Sequence, residues 1–180
     1  MKKFWFQIAV LLVVIFGALY LNNNPGIIGV LSPVPIFSDP AISPTSNLTK
    51  IKIVAQGGSD LAATKAELNV EIADTKEKRA NGLGGRIQLD TASGMLFVFD
   101  HADIHKFWMK GMKIPLDFIW VSKTRVVDIL PNVQPPANGT PDNALPIYAP
   151  VVKIDKVLEV NAGFAALHKI TIGDSIEAVQ

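Results

Sequence analysis

The sequence predicts a mainly β domain, a compact β-sandwich or barrel-like fold with two short helices, preceded by one N-terminal transmembrane helix. Three observations carry this. Short segments of strand length recur from residue 50 onward, separated by Gly and Pro turns. Charge is distributed unevenly: residues 1–49 hold only Lys2, Lys3 and Asp39, while residues 50–180 hold fifteen basic and fifteen acidic side chains. Phe4–Leu21 carries no charge over 18 residues.

As a helix, Phe4–Leu21 would span about 27 Å at ~1.5 Å per residue, close to the ~30 Å hydrocarbon core of a bilayer. Lys2 and Lys3 precede it and no basic residue follows until Lys50, so the positive-inside rule places the N-terminus in the cytoplasm and the rest outside. Trp5 and Tyr20 fall near its ends, where aromatic rings favour the membrane interface. An uncleaved signal anchor is favoured over a cleaved signal peptide. The apolar run is long for a signal peptide, and no Ala-x-Ala site follows it. The expected localisation is a single-pass membrane protein with an extracytoplasmic C-terminal domain. Residues 22–49 read as a Pro-rich tether with five of the twelve prolines. Its stretches Ile27–Leu31 and Val34–Phe37 are more apolar than an ordinary linker.

Residues 50–180 read as the folded domain. Lys50–Ala55 and Ala66–Ala73 alternate polar and apolar residues, as half-buried strands do. Met95–Phe99 is a continuous apolar run. Phe107–Lys110, Leu116–Val121 and Arg125–Leu130 follow as strands, the last two joined as a hairpin through Ser122–Thr124. Val151–Ile154, Lys156–Val160 and Ser175–Val179 complete the set. Thr75–Asn81 reads as a helix capped by Asp74 or Thr75 and ended by Gly82; Ala162–His168 reads as the second. Pro135–Pro150 holds five prolines and reads as a long loop.

Composition removes several function classes. Net charge is +1, with no cationic footprint for nucleic acid. The absence of Cys excludes a disulfide framework, a thiolate zinc site, an iron–sulfur cluster, a Cys nucleophile and a lipidated N-terminal Cys. No cofactor is implied. His101, Asp103 and His105 have metal-ligand spacing, but no third and fourth ligand is evident, and a solvated loop is the expected reading. Gly82, Gly84 and Gly85 follow a helix rather than precede one, so they read as a cap and turn and not as a phosphate cradle.

Two acids stand out because a carboxylate inside an apolar strand is costly unless paired. Asp117 lies in Pro115–Val121, and Glu159 lies in Val157–Asn161. Either Asp117 accepts backbone N–H bonds or pairs with an Arg as a structural group, or it belongs to a site. Lys110, Lys113 and Arg86 are its charged candidates in sequence. Trp108 and Met109 read first as core residues, and Lys110 as a solvated edge.

Seven blocks, in order, carry a resemblance: Val70–Asp74, Arg79 with Gly82-Leu83 and Arg86, Gly94–Phe99, Phe107–Lys110, Pro115–Asp117, Leu158–Gly163 and Gly173-Asp174. Over about residues 66–178 the chain resembles the bacterial and archaeal family called domain of unknown function 192. The resemblance implies a mainly β, sandwich-like domain, often behind an export signal, with no established activity, substrate or cofactor. It points to Arg86, Met95, Trp108, Met109, Lys110, Pro115, Asp117, Glu159 and Asn161. The chain departs from the family pattern at Gly84, where Met is frequent, and at Gly111, where Asn is frequent. Together these readings lead to a membrane-anchored module that binds an envelope ligand or partner through Arg86, Trp108, Met109, Lys110, Asp117 and Asn161. The alternative is a hydrolase-like enzyme using Asp117 and Glu159 with Lys110 or Arg86.

Overall fold

The computed structural model describes residues 48–57 and 63–179. Seven strands close into a barrel in the order β1-β2-β3-β6-β4-β5-β7. In chain order these are β1 (Thr49–Val54), β2 (Thr64–Ala73), β3 (Ser93–Asp103), β4 (Leu116–Ser122), β5 (Arg125–Val133), β6 (Ile154–Asn161) and β7 (Ser175–Ala178). Two short helices interrupt them, α1 (Lys76–Asn81) and α2 (Phe164–Leu167). Of the two expected architectures, the barrel is the one formed. All neighbouring strands run antiparallel except β2 and β3. That parallel pair is bridged by α1 and the loop after it. The Phe4–Leu21 segment lies outside the described residues. Among the described residues, no helix is long and apolar enough to cross a membrane.

Alternation along each strand sorts the side chains into two cores. Every strand contributes to the barrel lumen, for example Ile51, Leu68, Leu96, Ile119, Val126, Leu158 and Ile176. A second core lies on the outer face of β3, β4 and β6. There Phe97, Phe118, Trp120 and Val157 are covered by Leu83, Phe107, Met109 and Met112 from the loops. This double burial explains why Leu116–Val121 reads as nearly continuous apolar sequence: β4 is buried on both faces.

Three expected boundaries change. Phe107–Lys110 is not a strand; only Phe107 pairs, in an isolated bridge with Tyr148. Its apolar residues are instead loop side chains that cover the outer core. Val151–Lys153 also falls outside the strands, and β6 begins at Ile154. The His101–Asp103 stretch, expected as loop, continues β3, whose last four residues are exposed. The hairpin forms as expected, with Lys123 at φ +58°. Helix α1 is capped by Thr75, whose Oγ1 accepts from Lys78 N–H at 3.2 Å, and it ends at Gly82 with φ +49°.

The β3–β6 contact is close enough to require glycine. A Cβ at Gly94 would stand 2.7 Å from the Glu159 carbonyl oxygen and 3.1 Å from Val160 Cγ1. Backbone at that distance yields only by moving the strand. Gly94→Ala is expected to lower stability by about 1–3 kcal/mol, read as a lower urea midpoint. An unchanged midpoint would mean that the two strands are not packed this tightly.

Candidate functional site

A cleft of about 140 Å³ opens over the outer core. One wall is the end of α1 and its glycine turn, with Arg79, Gly82, Leu83 and Gly84. The opposite wall is the segment after β3, with Lys106, Phe107, Trp108, Lys110 and Met112. Phe97 and Phe99 of β3 and Glu159 of β6 complete it.

Glu159 faces the outer core because β6 alternates. Its ladder partners are Met95 on β3 and Phe118 on β4, so its carboxyl is flanked by apolar side chains. The residue is 4% exposed and its carboxyl takes no hydrogen bond from the described residues; because no fully enclosed side-chain polar atom among them lacks a partner, its oxygens keep a small opening to solvent. Removal from water raises its pKa from the ordinary 4.5 to about 8. It lines the cleft, and being almost wholly buried it forms part of the floor.

The rim is cationic and aromatic. Arg79 Nη1 donates to the carbonyl oxygens of Asp74 and Val98, both at 2.8 Å, and its guanidinium lies 5.1 Å from the centre of the Phe99 ring. These contacts fix Arg79 without an ion pair. After the Lys78 hydrogen bond to Asp74 and the backbone hydrogen bond to Glu77, its charge helps hold both nearby carboxyls below the usual carboxylate range. Lys106 is exposed and has no ion-pair partner among the described residues. Lys110 pairs with Asp142 and lies 5.6 Å from the centre of the Trp108 ring. Trp108 is 49% exposed, unusual for the largest apolar side chain. The segment that carries it is held by Phe107, whose N–H and carbonyl both bond to Tyr148.

Of the residues singled out in sequence, Trp108, Lys110 and Glu159 meet at this cleft. The other candidate site residues, Arg86, Met95, Met109, Pro115, Asp117 and Asn161, do not line it. Asp117 faces the barrel lumen, since it neighbours Val160 while Phe118 neighbours Glu159. The two acids therefore lie on opposite faces of the sheet. Asp117 is fully buried, and its Oδ1 accepts from Asn132 N–H at 2.8 Å and Gly163 N–H at 3.0 Å. Its Oδ2 accepts from Ala165 N–H at 2.9 Å. These donors belong to the start of α2 and to a bulge of β5, where Pro131 and Asn132 fall between the paired residues Leu130 and Val133. Asp117 thus ties α2 over one end of the barrel and holds Asn132 at φ +54°.

Arg86 makes a two-pronged ion pair with Glu71 at 2.6 and 2.9 Å. Asn161 donates from Nδ2 to the carbonyls of Leu89 and Asp90 and so pins the loop before β3. Met95 and Met109 are core residues, and Pro115 accepts from Ala162 N–H. Gly111, at φ +70°, occupies a left-handed position that glycine adopts without strain. Among the described residues, no group of three His, Asp or Glu side chains forms a metal site.

Sequence reasoning missed Arg79 and Lys106 as cleft residues. Arg79 has a legible signal, a cation one turn before a helix-ending glycine. Lys106 has none. Asp174 was also unanticipated as a second buried carboxylate with a purely structural set of partners. Burial opposes its ionisation, but Lys65 at 2.7 Å and the N–H groups of Thr171 and Gln56 outweigh it and hold its pKa below the usual range.

Comparison with known proteins agrees with this architecture. The family model DUF192, described as "Uncharacterized ACR", matches residues 59–178. A crystal structure from Sinorhizobium meliloti, of a protein described as a "putative transcription regulator", is 26% identical, with a TM-score of 0.63. The match covers 73% of this chain and 93% of that one. A protein of unknown function from Novosphingobium aromaticivorans is 28% identical, with a TM-score of 0.62 over 78% of this chain and 94% of that one. No curated protein matches the chain.

Proposed function

From a chain that belongs to the DUF192 family, we propose a membrane-tethered, extracytoplasmic binding module whose ligand or partner enters the cleft above Glu159. The observation that carries this is the buried, unpartnered carboxyl at the floor of an open cleft with a half-exposed Trp at its mouth. An acid kept in such a place is costly unless something else pays for it. Phe4–Leu21 would supply the anchor, and the Pro-rich residues that follow it would link it to the barrel. The separation of Asp117 from Glu159 favours binding over the two-carboxylate enzyme. Regulation of transcription, suggested by one structural neighbour, finds no support in residues 50–180, where fifteen basic side chains are balanced by fifteen acidic ones.

Two measurements test this reading. Protease added to intact spheroplasts is expected to degrade the barrel; a domain resistant until the membrane is lysed would refute the topology. A fragment screen by NMR on the full chain in micelles is expected to move the Trp108 indole and Gly84 amide resonances. A screen that leaves both unmoved would refute the cleft as the binding site.

A further inference from the structure

We propose that the cleft selects a small carboxylate that bears a hydroxyl or ammonium donor on the adjacent carbon, its donor on Glu159 and its carboxylate toward Arg79 and Lys106. This deepens the binding reading above and rests on it.

Three observations narrow the ligand. The floor is a 4% exposed carboxyl that takes no hydrogen bond from the described residues and keeps a small opening to solvent, so an occupant of the cleft can bring a hydrogen-bonding group to it. An N–H or O–H donor suits a carboxylate, and a hydroxyl also suits the protonated acid. The walls carry two cations, Arg79 and Lys106, that form no ion pair among the described residues, although Asp74 and Glu77 lie near enough to feel the charge of Arg79. Arg79 is bound to backbone carbonyls, and Lys106 has no ion pair. Lys110 is answered by Asp142. The cleft thus bears more positive than negative charge, which disfavours a plain amine or a partner's Lys or Arg and favours an occupant with its own carboxylate. Size sets the third limit. About 140 Å³ is close to the ~150 Å³ cavity that holds benzene, so roughly six non-hydrogen atoms fit below the rim. Glycine and lactate fall in that range. Gly84 leaves its side of the wall without a side chain.

The test titrates the full chain in micelles with L-lactate, glycine, acetate and ethanolamine, following the Gly84 amide and the Trp108 indole. Lactate, glycine or both are expected to bind saturably, at least tenfold tighter than acetate, which lacks the donor, and than ethanolamine, which lacks the carboxylate. Which of the two binds identifies the donor as hydroxyl or ammonium. Lys106→Ala, a change at an exposed site, is expected to weaken the binding severalfold, and Glu159→Gln to weaken glycine more than lactate. Acetate binding as tightly as lactate and glycine would overturn the proposal, as would ethanolamine binding tightest. Silence at both resonances with all four probes would also overturn it. In each of these cases the broader binding reading is judged separately, by the fragment screen.

Discussion

Asp117→Ala is expected to remove most of the domain's stability. The substitution leaves the N–H groups of Asn132, Gly163 and Ala165 without their acceptor; the bond to Ala165 is buried and the other two are part-buried. Each orphaned donor costs about 1–3 kcal/mol, so the three together cost roughly 3–9 kcal/mol, against a total of about 5–15 kcal/mol for a typical domain. Helix α2 would lose its tie to the barrel end, and Phe164 and Ala165, which belong to the lumen core, would be loosened with it. Asp117→Asn retains the shape and one acceptor oxygen, and is expected to cost about 2–3 kcal/mol. Thermal unfolding of the three proteins checks this order. Melting temperatures for Asp117→Asn and the parent that coincide would show that the carboxylate is not what secures α2.

Glu159→Gln should act in the opposite direction, increasingly so as pH rises above about 4.5. The folded-state pKa of Glu159 is raised to about 8 from 4.5 by burial between Met95 and Phe118. A raised pKa means that the folded state prefers the proton. The stability this confers is fully present below about pH 4.5, declines as pH rises, and is gone above about pH 8. At about 1.4 kcal/mol per unit, the parent protein then carries a cost of roughly 3–5 kcal/mol that the neutral Gln does not. Chemical denaturation is therefore expected to show equal stabilities near pH 4 and a more stable variant at pH 9. A difference that does not change between these pH values would mean that Glu159 titrates as an ordinary surface acid. Relinquishing that stability in the parent fits a group kept for a ligand rather than for the fold.

Much of the barrel was legible because its strands obey simple patterns. Lys50–Ala55 and Ala66–Ala73 face water on one side and alternate, and Leu116–Val121 with Arg125–Leu130 announces a hairpin. Phe107–Lys110 misled for a physical reason. Its apolar residues serve the second core outside the barrel, and a loop that covers a sheet needs the same Phe and Met that a strand would. Asp117 was identifiable as a buried acid from its apolar neighbours, and backbone donors were among its expected partners. The donors themselves come from residues 132, 163 and 165, too far along the chain to be paired by inspection. Glu159 looked equivalent to Asp117 in sequence. What separates them is the registration of β4 against β6, which places Phe118 beside Glu159 and turns the two acids to opposite faces. No local pattern encodes a registration between strands more than thirty residues apart. The cleft was equally invisible, since Arg79, Lys106 and Glu159 meet only through the folding of α1 and the loop after β3 over the sheet.

The account stands or falls on Glu159 being an unpaired acid at the floor of an open cleft. Its side-chain carboxyl carbon can be followed directly by carbon-13 NMR as pH is raised, with Glu159→Gln assigning the resonance. An inflection near pH 8 is the predicted result. An inflection between pH 4 and 5 would contradict the account, because it would place the carboxyl in water or in contact with a partner that stabilises its charge.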